Sequence, residues 1–176
     1  MPLSRRPDGY VPGVAKKYAS AFELGGSAAG LLVTCMDGRV DPAHILGAEL
    51  GDALVMRNAG GRVTGEVIDE IAFIATLTET MFGDEAPPFE VAVIHHTGCG
   101  TGFLADEIFR HTYADRIGAD EADLASHAVT DPTASVRADV DLLLATPGLP
   151  ARVSVTGHVY DIDTGLVTTV VPLASA

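Results

Sequence analysis

The sequence predicts an α/β fold: a single domain with a mainly parallel β-sheet flanked by helices and a hairpin at its C-terminal edge. Three observations lead there. Short apolar runs alternate along the chain with segments of helical spacing. Two Asp-Pro pairs open helical segments, as an N-cap followed by proline in the first turn. The last stretch, RVSVTGHVYDIDTGLVTTVV, reads as two strands about a turn.

The elements follow in order. Residues 1–29 are rich in Gly, Ala and Pro and read as an N-terminal arm with one short helix around Val14 to Leu24. Residues 30–176 form the domain. GLLVT, Gly30 to Thr34, is a buried strand ending at Cys35, and DPAHIL starts a helix. DALVMR, Asp52 to Arg57, is a second strand, closed by the glycine turn NAGGR. TGEVIDEIAFIATLTETMF places Val67, Ile68, Ile71, Phe73, Ile74 and Leu77 at helical spacing, and Gly83 ends that helix. FEVAVIHH is a third strand and GFLADEIFRHTY a short amphipathic helix beginning after Cys99. DPTASVRADVDLLLAT runs as a helix to Pro147, ahead of the hairpin with its turn DIDTG.

Composition removes whole classes of function. The 176 residues carry 11 Lys and Arg against 24 Asp and Glu, a net charge of −13. Nucleic acid and anionic membranes need clustered cations, so neither is expected as a partner. No run approaches the roughly 18 apolar residues of a membrane span. The N-terminal MPLSRRPDGY has no apolar segment behind its arginines, which reads against a signal peptide and for the cytoplasm. Two cysteines, Cys35 and Cys99, make no disulfide framework. They could form one disulfide, remain free thiols or bind a metal.

In such folds chemistry gathers beyond the carboxyl ends of the strands. Cys35 ends the first strand, and His96 and Cys99 follow the third, so residues far apart in sequence share one rim. Cys35, His96 and Cys99 offer two sulfurs and one imidazole, a donor set suited to Zn²⁺, with a fourth tetrahedral place open as in catalytic sites. The positive end of a helix after Cys99 would favour its thiolate. In CMDGR, Asp37 and Arg39 stand two apart. A bidentate pair would hold the carboxylate ionised, beside the metal, to take a proton from water there.

Other residues carry less. His95 neighbours His96 on a strand and points to the opposite face, so it reads as a packed or hydrogen-bonded histidine. His44 could stand near the rim as a proton relay, although a surface or capping role fits it better. His111, His127 and His158 show no ligand spacing. GCGTG after a strand suggests a dinucleotide loop, but the Gly-x-Gly-x-x-Gly pattern needs glycine where Phe103 stands. A thiol redox protein, with a reversible Cys35–Cys99 disulfide, and a non-catalytic zinc protein are the remaining alternatives.

With Cys-x-Asp-x-Arg at Cys35 to Arg39, His-x-x-Cys at His96 to Cys99 and RNAGG at Arg57 to Gly61, the chain resembles the β-class carbonic anhydrases over roughly residues 30 to 170. The resemblance implies zinc on Cys35, His96 and Cys99, with Asp37 and Arg39 as the dyad beside it. It implies hydration of carbon dioxide in a small apolar pocket, and a dimer or a multiple of dimers with the site near the subunit interface. Asn58, Gly60 and Gly61 would be turn formers whose backbone lines the pocket. The chain has neither Gln nor Trp, so the pocket glutamine of larger members has no counterpart. The pattern is closer to the small subgroup that includes carbonyl sulfide and carbon disulfide hydrolases, which share the zinc motif.

Overall fold

The computed structural model describes residues 30–48, 53–86 and 88–175. The expected arm, residues 1–29 with its short helix, lies outside them. Five strands form one sheet: β1 (Gly30–Cys35), β2 (Leu54–Asn58), β3 (Phe89–His96), β4 (Val153–Asp161) and β5 (Leu166–Ser175). Their order is β2-β1-β3-β4-β5. The first four are parallel, and β5 returns antiparallel to β4 as the expected hairpin.

Strand parity divides the core. Leu31 and Val33 of β1, Val91 and Val93 of β3, and Val153 and Val155 of β4 face one side. There they meet Val67, Ile71 and Ala75 of α2 (Gly65–Phe82) and Val136, Val140 and Leu143 of α5 (Pro132–Ala145). Leu32, Ala92 and Ile94 face the other side, against Val40, Ile45 and Leu46 around α1 (Pro42–Ile45). β1 and β3 are therefore covered on both faces, which is why they read as continuous apolar runs.

The helix starts obey their local chemistry. Asp41 accepts from the amides of Ala43 and His44, and Asp131 from those of Thr133 and Ala134, each ahead of a proline. Gly83, at φ +56°, ends α2.

One expected helix divides. After Cys99 the chain makes a 3₁₀ turn, Gly100–Ala105, and α3 (Glu107–Ile117) begins afresh with Asp106 as its cap, accepting from the Phe109 amide. Gly100 and Gly102 weaken any α-helix there. A further short helix, α4 (Glu121–Ser126), had no counterpart in the sequence reading. Among the described residues, no helix is long and apolar enough to cross a membrane.

Candidate metal centre

The carboxyl ends of β1 and β3 lie side by side at the centre of the sheet, and they bring the three expected ligands together. Cys35 Sγ and Cys99 Sγ, 64 positions apart in sequence, lie 4.0 Å from each other. With one nitrogen of His96, the donor atoms all fall within 4.8 Å. Two sulfurs bound tetrahedrally at about 2.3 Å from zinc would stand roughly 3.8 Å apart, so the spacing fits such an ion.

His96 is prepared for the role. Its Nδ1 lies 2.9 Å from the Thr97 carbonyl, to which it donates, and that fixes the proton on Nδ1. Nε2 is left buried with no hydrogen-bond partner. A buried acceptor without a partner is costly, and a metal would satisfy it.

The sulfurs are set in an unequal field. The Cys99 thiol is pulled down to about 3 by the Cys35 side chain first, against burial, with help from His96 and Thr101. The Thr101 hydroxyl stands 3.1 Å from Cys99 Sγ. Cys35 is pushed up, chiefly as the hydrogen-bonding partner of Cys99 and then by burial. Its sulfur accepts from the Asp37 amide at 3.4 Å, and that amide and the Gly60 amide work against the rise. The expected α-helix start behind Cys99 is thus replaced by Thr101 in the 3₁₀ turn. Burial pushes the His96 imidazole down, but the nearby Cys99 sulfur, the Thr97 carbonyl and Asp37 outweigh it and raise it.

Asp37 and Arg39 form the expected bidentate pair. Arg39 Nε donates to Oδ1 at 3.0 Å and Nη2 to Oδ2 at 2.6 Å. Hydrogen bonds from the Arg39 side chain and amide hold the Asp37 carboxyl well below the usual carboxylate range. Arg39 Nη2 also reaches the Gly98 carbonyl at 3.1 Å, tying the dyad to the turn that carries Cys99.

Asn58, Gly60 and Gly61 shape the turn beyond β2. Asn58 closes it by accepting from the Arg62 amide and donating to the Arg62 carbonyl. Gly60 and Gly61 have φ of +87° and +68°. A Cβ on Gly61 would stand 2.8 Å from the Cys35 nitrogen, so the turn presses on the Cys35 backbone.

Three contributors went unread. Arg57 holds the Cys35 and Asp37 carbonyls at 3.0 and 2.7 Å. Thr101, two positions past Cys99, was within reach of a local reading. Asp139 is buried beside His95 and Arg62. Its signal was an acid on the apolar stripe of Val136, Val140 and Leu143.

The remaining histidines stay apart from the ligand set. His95 bonds to Gly61 and Asp139, His111 to Glu121 and Asp115, and His127 to Asp123. His158 is buried on β4 beside Thr169, and His44 is an exposed residue of α1. Phe103 occupies the 3₁₀ turn and is exposed, so the dinucleotide pattern has neither its glycine nor its helix.

Known proteins are similar to this chain in sequence and fold. A family model described as carbonic anhydrase matches residues 30–167. Beta-carbonic anhydrase 1 of Mycobacterium tuberculosis is 31% identical over 141 residues, 80% of this chain and 81% of that protein. Carbon disulfide hydrolase of Acidianus sp. is 30% identical over 156 residues, 76% of this chain and 72% of that protein. Among solved structures, a carbonic anhydrase from Streptococcus mutans superposes with a TM-score of 0.66 at 32% identity, covering 94% of this chain and 99% of that one. The apo form of a carbon disulfide hydrolase gives 0.61 at 27% identity, covering 87% and 84%. The chain belongs to the β-carbonic anhydrase family, among whose members carbon disulfide hydrolases are also counted.

Proposed function

We propose that this protein hydrates carbon dioxide to bicarbonate with zinc held by Cys35, His96 and Cys99. The observation that carries the reading is the convergence of two sulfurs and a buried, unpartnered imidazole nitrogen beside a carboxylate already committed to an arginine. A zinc ion on three protein ligands makes a nucleophile of water near neutral pH and keeps one position open.

The chain's own residues do the rest. Cys35 and Cys99 supply negative charge, and the Asp37 amide and the Thr101 hydroxyl steady the sulfurs. Arg39 keeps Asp37 ionised and turned to itself, so that Asp37 stays a hydrogen-bond acceptor that orients water. The exposed apolar side chains Phe103, Ile108 and Phe109 line a groove that reaches Cys99, suited to a small neutral substrate. We assign the other wall of the pocket to Asn58 and the Gly60–Gly61 turn, because Gly60 packs against Thr101, whose hydroxyl stands beside Cys99 Sγ.

We further propose a homodimer or a dimer of dimers. The edge strand β2 exposes Leu54 and Val55, and α2 exposes Phe73, Leu77 and Met81, apolar area that a partner copy would cover. The cytoplasm suits two cysteines that must remain reduced thiolates.

A second reading takes carbonyl sulfide or carbon disulfide as substrate at the same site. It is favoured by the carbon disulfide hydrolases among the relatives. Metal analysis and side-by-side assay of the zinc-loaded chain with carbon dioxide, carbonyl sulfide and carbon disulfide decide between them. Carbon dioxide turned over much the fastest supports the first reading, and the reverse ranking supports the second.

A further inference from the structure

Beneath the glycine turn, on the side of the sheet covered by α5, lies a buried charged cluster that the proposed reaction does not use. Asp139 is 2% exposed and His95 is fully buried. A carboxylate in such a place is expensive unless every lone pair is engaged, and here they are. Arg62 Nε lies 3.1 and 2.9 Å from the two oxygens, and its Nη2 lies 2.8 Å from Oδ1. The Val63 amide donates to Oδ2 at 3.1 Å, and His95 Nε2 lies 3.0 Å from that same oxygen.

The partners all converge on one short segment. His95 Nε2 also lies 3.1 Å from the Gly61 carbonyl. Both neighbours of Nε2 are acceptors, so it carries the proton and donates to each. Arg62 Nη1 donates to the Ser126 carbonyl at 2.8 Å, and its backbone is held by Asn58. Residues 58–63 are thus fastened from β2, β3, α4 and α5 at once.

What the fastening achieves is visible on the turn's opposite side. Gly61 packs so closely that an added Cβ would stand 2.8 Å from the Cys35 nitrogen and 3.2 Å from the Ile94 carbonyl oxygen. The Gly60 amide stands near enough to the Cys35 sulfur to draw its thiol down. A Cβ on Gly60 would meet the Thr101 hydroxyl at 3.0 Å, the same hydroxyl that bonds to Cys99 Sγ. One segment therefore touches the surroundings of both sulfurs, and Asp139 is what its far side is tied to.

We propose that Asp139 is a positioning residue for the metal centre, acting through His95 and Arg62 to press the Gly60–Gly61 turn onto the Cys35 backbone and the Thr101 side chain, and so to set the surroundings of the two sulfurs and their hold on the metal. The inference rests on the assignment of Cys35, His96 and Cys99 as ligands. His95, adjacent to a ligand but facing away from it, thereby acquires a role through the turn's backbone.

The full chain, stripped of metal and titrated with Co²⁺, provides the test. The ligand-field bands and the thiolate-to-metal band report the sulfurs directly, and competition with a chromophoric chelator gives the zinc affinity. Asp139→Asn is expected to shift the bands and to lower zinc affinity roughly 10- to 100-fold, the usual effect of losing a group behind a ligand. His95→Phe, which loses the bond to Gly61, should move both readouts the same way, and His95→Gln, which keeps a donor there, should restore them. Val136→Ala opens a hole under the same helix without touching the turn, so it should lower stability and leave the bands native. If Asp139→Asn does not fold, the His95 pair decides. Native bands and native affinity in His95→Phe would overturn the proposal, as they would in a folded Asp139→Asn. A wild-type chain that takes up neither Co²⁺ nor zinc would instead sink the ligand assignment itself.

Discussion

Gly61→Ala tests the tightest contact around the site. The added methyl would stand 2.8 Å from the Cys35 nitrogen, 2.9 Å from the Thr34 carbonyl carbon and 3.2 Å from the Ile94 oxygen. Comfortable contacts between non-bonded carbons lie near 3.5 to 4.0 Å. All three neighbours are backbone atoms of β1 and β3, and β1 is paired on both edges, with β2 and with β3. They cannot yield as a flexible side chain would. Overpacking of this kind costs about 1 to 3 kcal/mol. The backbone adds its own penalty, because φ is +68° and a left-handed alanine costs about 1 to 2 kcal/mol. The sum is about 2 to 5 kcal/mol, a large share of the roughly 5 to 15 kcal/mol that holds a domain folded. It corresponds to a fall in Tm of about 4 to 20 °C. Gly148→Ala is the control, since φ there is +89° and nothing lies within 4 Å, so only the backbone penalty applies. Urea unfolding of the two variants without metal separates packing from strain and from ligand linkage. If Gly61→Ala unfolds within about 0.5 kcal/mol of Gly148→Ala, the close approach of the turn to Cys35 is wrong.

Three further perturbations address the chemistry and its setting. Cys99→Ser should lose most of its zinc and its activity, and metal analysis showing full occupancy would refute the ligand set. Asp37→Ala should keep its zinc while turnover falls roughly 10²-fold, the usual loss when a group that positions a reactant is removed. Unchanged turnover would remove Asp37 from the mechanism. His158 is buried on β4, and desolvation pulls its imidazole from the ordinary 6.5 down to about 4. The folded chain therefore keeps it neutral where the unfolded chain binds a proton, so stability is full above pH 6.5 and drains away towards pH 4. The loss is on the order of 3 kcal/mol when complete. His158→Gln should flatten the slope of unfolding free energy over that window, and an unchanged slope in urea titrations at pH 7, 6, 5 and 4 would show that the group is not buried as described.

Much of the fold was legible because it is written in local terms. The apolar runs of β1 and β3, the Asp-Pro helix starts and the C-terminal turn each carry their own signal within a few residues. The break at Asp106 was harder. The apolar spacing in GFLADEIFRHTY suits one helix, but Asp106 caps α3 with its own side chain and the glycines before it favour a tighter turn. A period count registers neither effect. Phe73 and Leu77 were counted in the helical spacing of α2, and they are exposed, while Ala75 is buried. The periodicity was that of two apolar faces, one for the core and one pointing outward, and spacing alone does not divide them.

The proposed ligands were legible for a different reason. Parallel strands deliver their carboxyl ends to one edge, so two short motifs at strand ends must meet there, whatever the length of chain between them. That rule brings Cys35 to Cys99 but says nothing of what stands behind them. Asp139 comes from mid-helix, and its pairing with Arg62 and His95 depends on how α5 lies across the sheet, which no spacing encodes. Its one sequence trace was chemical: a carboxylate at i+3 from Val136, directly before Val140 and four ahead of Leu143, on the face that must be buried. A charge in that position must have a buried partner. Among the cations and histidines ahead of it, Arg62 closes the glycine turn and His95 stands beside a ligand. On the proposed assignment, the pair His95–His96 separates by strand parity into one histidine for the metal and one for the turn that packs against Cys35.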